Sequence, residues 1–165
     1  IFDHKYVYEE IGYNLKPIEL QASMGLVQLN KLEQITEIRK RNHAELIEIF
    51  KPYEEYFILP KATKGADVNW FAFALTIKDN VLFNRAKFVD FLEERKIQTR
   101  PYFAGCILLQ PAYNGLYGGD IRKRFPNAVK STTNTLFLGT SPVVSREQLS
   151  YIKEVVDGFF SQLFY

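Results

Sequence analysis

From Leu149 to Leu163 the apolar residues fall at Leu149, Ile152, Val155, Val156, Phe159, Phe160 and Leu163. This three-and-four spacing puts a wide stripe on one side of an α-helix. Ser145 and Gln148 form a capping box ahead of it, which predicts where the helix begins. A stripe that wide must be covered by another element. The segment Val68–Ile77 supplies the complementary pattern: Phe71, Phe73, Leu75 and Ile77 alternate with the small residues Ala72 and Ala74, as in a strand with one apolar face. A helix face and a sheet face that both need covering call for a layered domain.

The rest of the chain adds elements to these layers. A helix is expected from Pro17 towards Phe50, where Pro52 stops it. A straight helix of that length would run roughly 50 Å, so a bend near Asn30 to Gln34 is expected. Its second half mixes Ile35, Ile38, Leu46, Ile49 and Phe50 with charges, and Arg39-Lys40-Arg41 reads as a solvated face. Pro60 to Asp67 reads as a loop. Asn84 can cap a helix through about Lys96, with Phe88, Val89 and Leu92 inward. Ile97 to Tyr102 is a short strand that Pro101 confines to an edge or an end. Phe103 to Asp120, rich in Gly and aromatics, is a long loop of the kind that carries function. A weak helix over Asn127–Thr135 and a short buried strand Leu136–Leu138, ending at Gly139, complete the order. The expectation is an α+β fold, a small antiparallel sheet with helices packed on one face.

The stretch Gly12-Tyr13-Asn14-Leu15-Lys16-Pro17 leads into the first helix. Ile18, Ala22, Gly25, Leu29 and Leu32 have the spacing of one buried helical face. Pro17 suits the first helical position, and no Ser, Thr or Asp stands at Lys16 to cap the first backbone donors. Free donors at a positive dipole end, beside Asn14 and Lys16, suit a phosphate. The same residues also read as an ordinary amphipathic helix with a polar lead-in.

Composition narrows the classes. With 165 residues and 47% hydrophobic content the chain can bury one core. Its 14 Phe and 10 Tyr point to extensive packing or an interface. A net charge of +2 argues against a nucleic-acid binder. The single cysteine, Cys106, leaves no internal disulfide and no multi-cysteine metal site, which fits a cytoplasmic setting. No apolar run is long enough for a membrane span, and the first residues lack the order of a signal peptide. The opening in mid-sequence, without Met, reads as a fragment or a processed product.

Conventional catalytic patterns are absent. His4 and His43 lack metal-ligand spacing, and His43 is expected to be exposed or partly packed. Cys106 has no His partner nearby in sequence. Gly115–Gly119 reads as a turn, because no Lys-Ser or Lys-Thr follows it. Arg100 leaves a strand end for a loop, where a guanidinium commonly binds an anion or forms a surface ion pair.

Gly12-Tyr13-Asn14-Leu15-Lys16 followed by Gln21–Leu29 resembles the DegT/DnrJ/EryC1/StrS sugar aminotransferase family of fold-type-I pyridoxal-phosphate enzymes. Asp3–Tyr6, Thr99-Arg100, Phe103-Ala104-Gly105 and Gln110-Pro111 look more like its nucleotide-sugar 3-dehydratase branch, which serves deoxysugar and lipopolysaccharide synthesis. Two positions depart from that branch: Cys106 stands where asparagine follows Phe-Ala-Gly, and Leu109 where a basic residue is usual.

The resemblance implies a C-terminal small domain over residues 17–165, with 1–16 as a lead-in from a large cofactor domain before Ile1. The residue facing the cofactor ring, lysine in aminotransferases and histidine in the dehydratases, would lie in that domain, so no catalytic residue is assigned here. The isolated chain is expected to be inactive. Asn14 matches the asparagine that reaches the phosphate of the partner subunit's cofactor, pyridoxal or pyridoxamine phosphate. Tyr13, Lys16 and Arg100 are the implied substrate contacts. The implied partners are a nucleotide-linked 4-keto-6-deoxy sugar, a second copy of the chain and a reductase. An iron–sulfur cluster, if present, would have ligands before Ile1. A sugar aminotransferase is the close alternative, and a non-catalytic interaction module the distant one.

Overall fold

The computed structural model describes residues 13, 15–113 and 115–163. In chain order the elements are α1 (Glu19–Leu29), α2 (Leu32–Phe50), β1 (Phe57–Ile58), β2 (Ala72–Ile77), α3 (Arg85–Glu94), β3 (Arg100–Pro101), α4 (Ile121–Arg124), α5 (Pro126–Asn134), β4 (Thr135–Gly139) and α6 (Arg146–Leu163). The chain divides into two units between Glu33 and Gln34.

In the second unit the strands form one antiparallel sheet in the order β1-β2-β4-β3. The register sets Phe73 opposite Leu138 and Leu75 opposite Leu136. These residues and Ile77 are buried on one face. The helices cover that face, as expected. Phe88 and Leu92 from α3, Leu46 and Phe50 from α2, and Val156, Phe159 and Phe160 from α6 fill the core with the strand residues. Phenylalanines meet edge-to-face at its centre, with Phe88 and Phe159 4.9 Å apart and Phe83 and Phe159 5.0 Å apart between ring centroids, within the favourable range for aromatic pairs.

The local signals act through identifiable bonds. Asn84 Oδ1 accepts from the Lys87 N–H at 2.9 Å and starts α3. At α6 the Ser145 N–H donates to Gln148 Oε1 at 2.8 Å, and the Gln148 N–H donates to Ser145 Oγ at 3.3 Å. Pro101 sits in the edge strand β3, where its missing N–H leaves no gap in the ladder.

Several elements differ from the sequence expectation. The first helix begins at Glu19 with Ile18 as its cap residue, so Pro17 precedes it. The Ile18 N–H is engaged by Gln21 Oε1 at 3.0 Å, so the helix start is less free of partners than expected. The break expected near Asn30 falls at Asn30–Lys31. No residue of α1 is buried, and the stripe Ile18, Ala22, Gly25, Leu29 and Leu32 is exposed. Two short elements, β1 and α4, carry too few residues for a period to show.

Phe71 is the most informative difference. Alternation places it in the core, yet the strand begins only at Ala72 and the Phe71 ring is 63% exposed. A bend at this point is pinned from two sides. Arg39 donates to the carbonyls of Trp70 and Phe71 at 3.3 and 3.0 Å, and Thr140 Oγ1 donates to Trp70 O at 2.6 Å. Arg39 is therefore a bridging residue and not part of a wholly solvated face.

Candidate functional site

Arg100 opens β3 and is exposed at the sheet edge. Its Cα partner is Phe137 on β4, whose own partner on β2 is Ala74. Directly opposed residues project to the same face, so Arg100, Phe137, Ala74 and Ala72 share the sheet face opposite the core. A surface hollow of about 470 Å³ borders Arg100, with Glu93, Lys96 and Gln98 around it. The Glu93 carboxylate is engaged by Thr99, whose hydroxyl donates to it at 2.6 Å. That leaves the guanidinium of Arg100 with no ion pair among the described contacts, and it can take an anion.

Beyond Arg100 the chain makes a tight, hydrogen-bonded loop. The Phe103 N–H donates to Pro101 O at 2.7 Å and holds Phe103 at a φ of 48°, a left-handed conformation uncommon for a bulky residue. Gly105 follows at a φ of 61°, and a Cβ there would overlap Thr132. The Cys106 N–H donates to Thr132 Oγ1 at 2.6 Å, and Gln110 Nε2 donates to Ala104 O at 2.8 Å. The Phe-Ala-Gly run thus has a physical basis in this fold: only glycine fits against α5 at position 105. Cys106 itself is buried, which removes it from the candidates for an accessible nucleophile.

The loop brings Phe103 against two rings from other elements. Phe71 and Phe103 are 6.3 Å apart between centroids, Phe103 and Phe137 5.5 Å, and Phe71 and Phe137 6.1 Å. Phe103 is 69% exposed. Sequence reasoning did not bring this trio together. Its one signal was Phe103 in the family-like run; Phe71 was assigned to the core.

The remaining sequence candidates lie in the first unit. Tyr13 and Lys16 are both exposed in the non-helical lead-in to α1. Asn14 lies outside the described residues. Arg100 belongs to the second unit.

His43 is a correction. It is 5% exposed, stacked on Trp70 at 3.8 Å between ring centroids and edge-on to Phe73 at 5.3 Å. Its Nε2 has no hydrogen-bond partner among the described residues. Burial holds its pKa down at about 4, because the charged ring would lose its hydration. Its neighbour Asn42 donates to Ser141 O at 3.0 Å and Val144 O at 3.3 Å. The pair tethers α2 to two loops and is structural. Among the described residues no group of three or more His, Cys, Asp or Glu is placed to hold a metal, and no helix is long and apolar enough to cross a membrane.

Comparison with known proteins gives this geometry its setting. Residues 2–157 match the DegT/DnrJ/EryC1/StrS aminotransferase family. The chain is 36% identical to the lipopolysaccharide biosynthesis protein RfbH of Salmonella typhimurium, over 96% of this chain and 36% of that protein. It is 35% identical to the dTDP-4-dehydro-2,6-dideoxy-D-glucose 3-dehydratase of Saccharopolyspora spinosa, over 98% of this chain and 34% of that protein. Among solved structures, the GDP-4-keto-6-deoxy-D-mannose-3-dehydratase of E. coli with bound hydrated pyridoxal phosphate superposes with a TM-score of 0.76 at 25% identity, over 92% of this chain and 38% of that one. The chain therefore spans little more than a third of the length of these relatives. Its fold is the α+β small domain of a fold-type-I pyridoxal-phosphate enzyme.

The lead-in to α1 carries exposed hydrogen-bond donors. The Lys16 ammonium and the Tyr13 hydroxyl are exposed and lie close in sequence. The helix start contributes less, because Glu19 adds a negative charge to the first turn of α1.

Proposed function

The chain belongs to the DegT/DnrJ/EryC1/StrS aminotransferase family, and from that membership we propose that it is the C-terminal part of a pyridoxal- or pyridoxamine-phosphate-dependent nucleotide-sugar 3-dehydratase acting in deoxysugar or lipopolysaccharide synthesis. The observation that carries this reading is the 35% identity to a 3-dehydratase over 98% of the chain. The cofactor supplies an electron sink for loss of the C3 hydroxyl from a 4-keto-6-deoxy sugar. The residues of this chain bind and orient. Lys16, Tyr13 and Asn14 hold phosphate groups at a cleft shared with a second copy, in the cytoplasm. The Arg100 guanidinium, free of a carboxylate partner in the described residues, holds the substrate diphosphate.

Aminotransfer is the second reading, favoured by the family's own description. Lysine at the ring-facing position outside this chain means aminotransfer, histidine means dehydration. The deciding experiment supplies the full-length protein with a 4-keto-6-deoxy sugar nucleotide. The assay also supplies the two electrons that replacing the C3 hydroxyl by hydrogen requires, from a reductase with its reductant or from glutamate that restores the pyridoxamine form; a 3-deoxy product that keeps no nitrogen supports dehydration. Glutamate-dependent amination supports the second reading, and absence of both with cofactor bound overturns both. In the same protein Asn14→Ala should weaken cofactor retention roughly ten- to a hundredfold, since a hydrogen bond to a charged group contributes about 1.5–3 kcal/mol. Absorbance of the bound cofactor during dialysis measures it.

A further inference from the structure

The open face of the sheet carries two departures from local rules, and both lead to one place. Phe71 leaves the core that its strand pattern assigns it to, held out by Arg39 and Thr140. Phe103 is kept at a φ of 48° by a tight turn. Neither arrangement serves the core, since both rings are well over half exposed. Residues held against such preferences concentrate at ligand-contacting sites. The two rings converge on Phe137, which stands directly across the ladder from Arg100.

The neighbouring ladder positions carry little side chain. Gly139 faces Ala72 across the ladder, and a Cβ at Gly139 would meet nothing within 4 Å. Ala72 and Ala74 add only methyl groups to that face. This face therefore carries three clustered rings next to small residues, with Arg100 directly across the ladder from Phe137. Arg39 lies 5.7 Å from the centre of the Phe71 ring and adds positive charge.

We propose that Phe71, Phe103 and Phe137, with Arg100, form the platform on which the nucleobase of a nucleoside diphosphate stacks while its phosphates meet the guanidinium. This rests on the reading of the chain as part of a nucleotide-sugar enzyme and assigns the base-contacting residues within it. Exposed rings stack any base through its π-face, and an adjacent arginine suits the attached phosphates. A protein partner on the same face is the competing occupant. Arg100, directly across the ladder from Phe137 and unpaired by any described carboxylate, favours a small anionic aromatic ligand.

The test uses the full-length protein with its cofactor bound, titrated calorimetrically with GDP, dTDP, CDP and, separately, inorganic pyrophosphate. At least one nucleoside diphosphate should bind tenfold or more tighter than pyrophosphate. Phe71→Ala and Phe103→Ala should each weaken that nucleotide by roughly five- to a hundredfold and leave pyrophosphate within about twofold. Gly139→Leu, which adds bulk beside Ala72 at a position of ordinary φ, should do the same without removing a ring. Variants that bind nucleotide like the wild type overturn the platform alone. Variants that lose the cofactor or fall apart into monomers also overturn it and assign the face to a protein contact. A wild-type protein that binds cofactor but no nucleoside diphosphate overturns both the platform and the nucleotide-sugar reading.

Discussion

Helices α1 and α6 are both rich in apolar residues, yet α6 buries Leu149, Ile152, Val155, Val156, Phe159 and Phe160 while α1 buries nothing. Their polar residues explain the contrast. The sequence of α6 interleaves its stripe with Arg146, Glu147, Lys153, Glu154 and Asp157, so one side is built for water and the other for the core. In α1 the single charge is Glu19, and Leu20, Met24, Leu26, Val27 and Leu29 are spread around the helix among small residues. A helix of that kind has no side committed to water. α6 is completed within this chain, whereas α1 presents apolar surface that a further protein surface would cover.

The largest effect expected on the α6 side comes from Phe159→Ala. Phe159 is 3% exposed and its ring meets those of Phe83, Phe88 and Phe91. Removing it should cost about 3–5 kcal/mol, measured as a lower urea midpoint. A loss below about 1 kcal/mol would mean that α6 does not complete this core.

His43 gives a pH-dependent effect of the next size. Its folded pKa of about 4 lies below the ordinary 6.5, so the unfolded chain binds a proton that the folded chain refuses. The stabilisation is complete above pH 6.5 and falls away as the pH drops from 6.5 towards 4, by about 2–3 kcal/mol. His43→Phe keeps a flat ring against Trp70 and should flatten this part of the acid limb. Fluorescence of Trp70, the sole tryptophan, follows the transition. An acid limb unchanged by the substitution would remove His43 as its cause.

Asn84→Ala takes away the acceptor for the Lys87 N–H and should cost about 1 kcal/mol, read from the same denaturation curves. Loss of this cap loosens α3 without opening the core, which separates end effects from the packing effect at Phe159.

What could be read from the sequence follows a similar division. The α6 stripe, its capping box, the Asn84 cap, the edge position of Pro101 and the core alternation Phe73-Leu75-Ile77 are set by neighbours within a few residues, and all are found in the structure. The exposure of Phe71 is set by Arg39 and Thr140, far away in sequence. The burial of His43 depends on Trp70, and the pinned loop at Gly105 depends on Thr132 of α5. Periodicity carries no trace of such contacts. Of the candidate site, Arg100 stood out as a cation at a strand end. The aromatic trio beside it did not, because its three rings come from three separate segments.

The smallest effect belongs to α1. Leu20→Ala and Met24→Ala remove side chains that are 69% and 65% exposed. In this chain each should change stability by less than about 0.5 kcal/mol, as surface substitutions do, against the several kcal/mol expected at Phe159. In the full-length protein the expectation reverses. If a cofactor domain or a second copy covers α1, each truncation removes buried apolar contact and should cost about 2–5 kcal/mol, appearing as weaker dimerisation in sedimentation or an earlier thermal transition. The comparison therefore turns on context: the same two substitutions are measured in the chain and in the full-length protein, with Phe159→Ala as the reference in both. If Leu20→Ala and Met24→Ala are equally mild in the two settings while Phe159→Ala is severe in both, nothing covers α1. The exposed stripe would then be a surface feature, and the reading of the lead-in beside it as part of a shared cofactor cleft would lose its support.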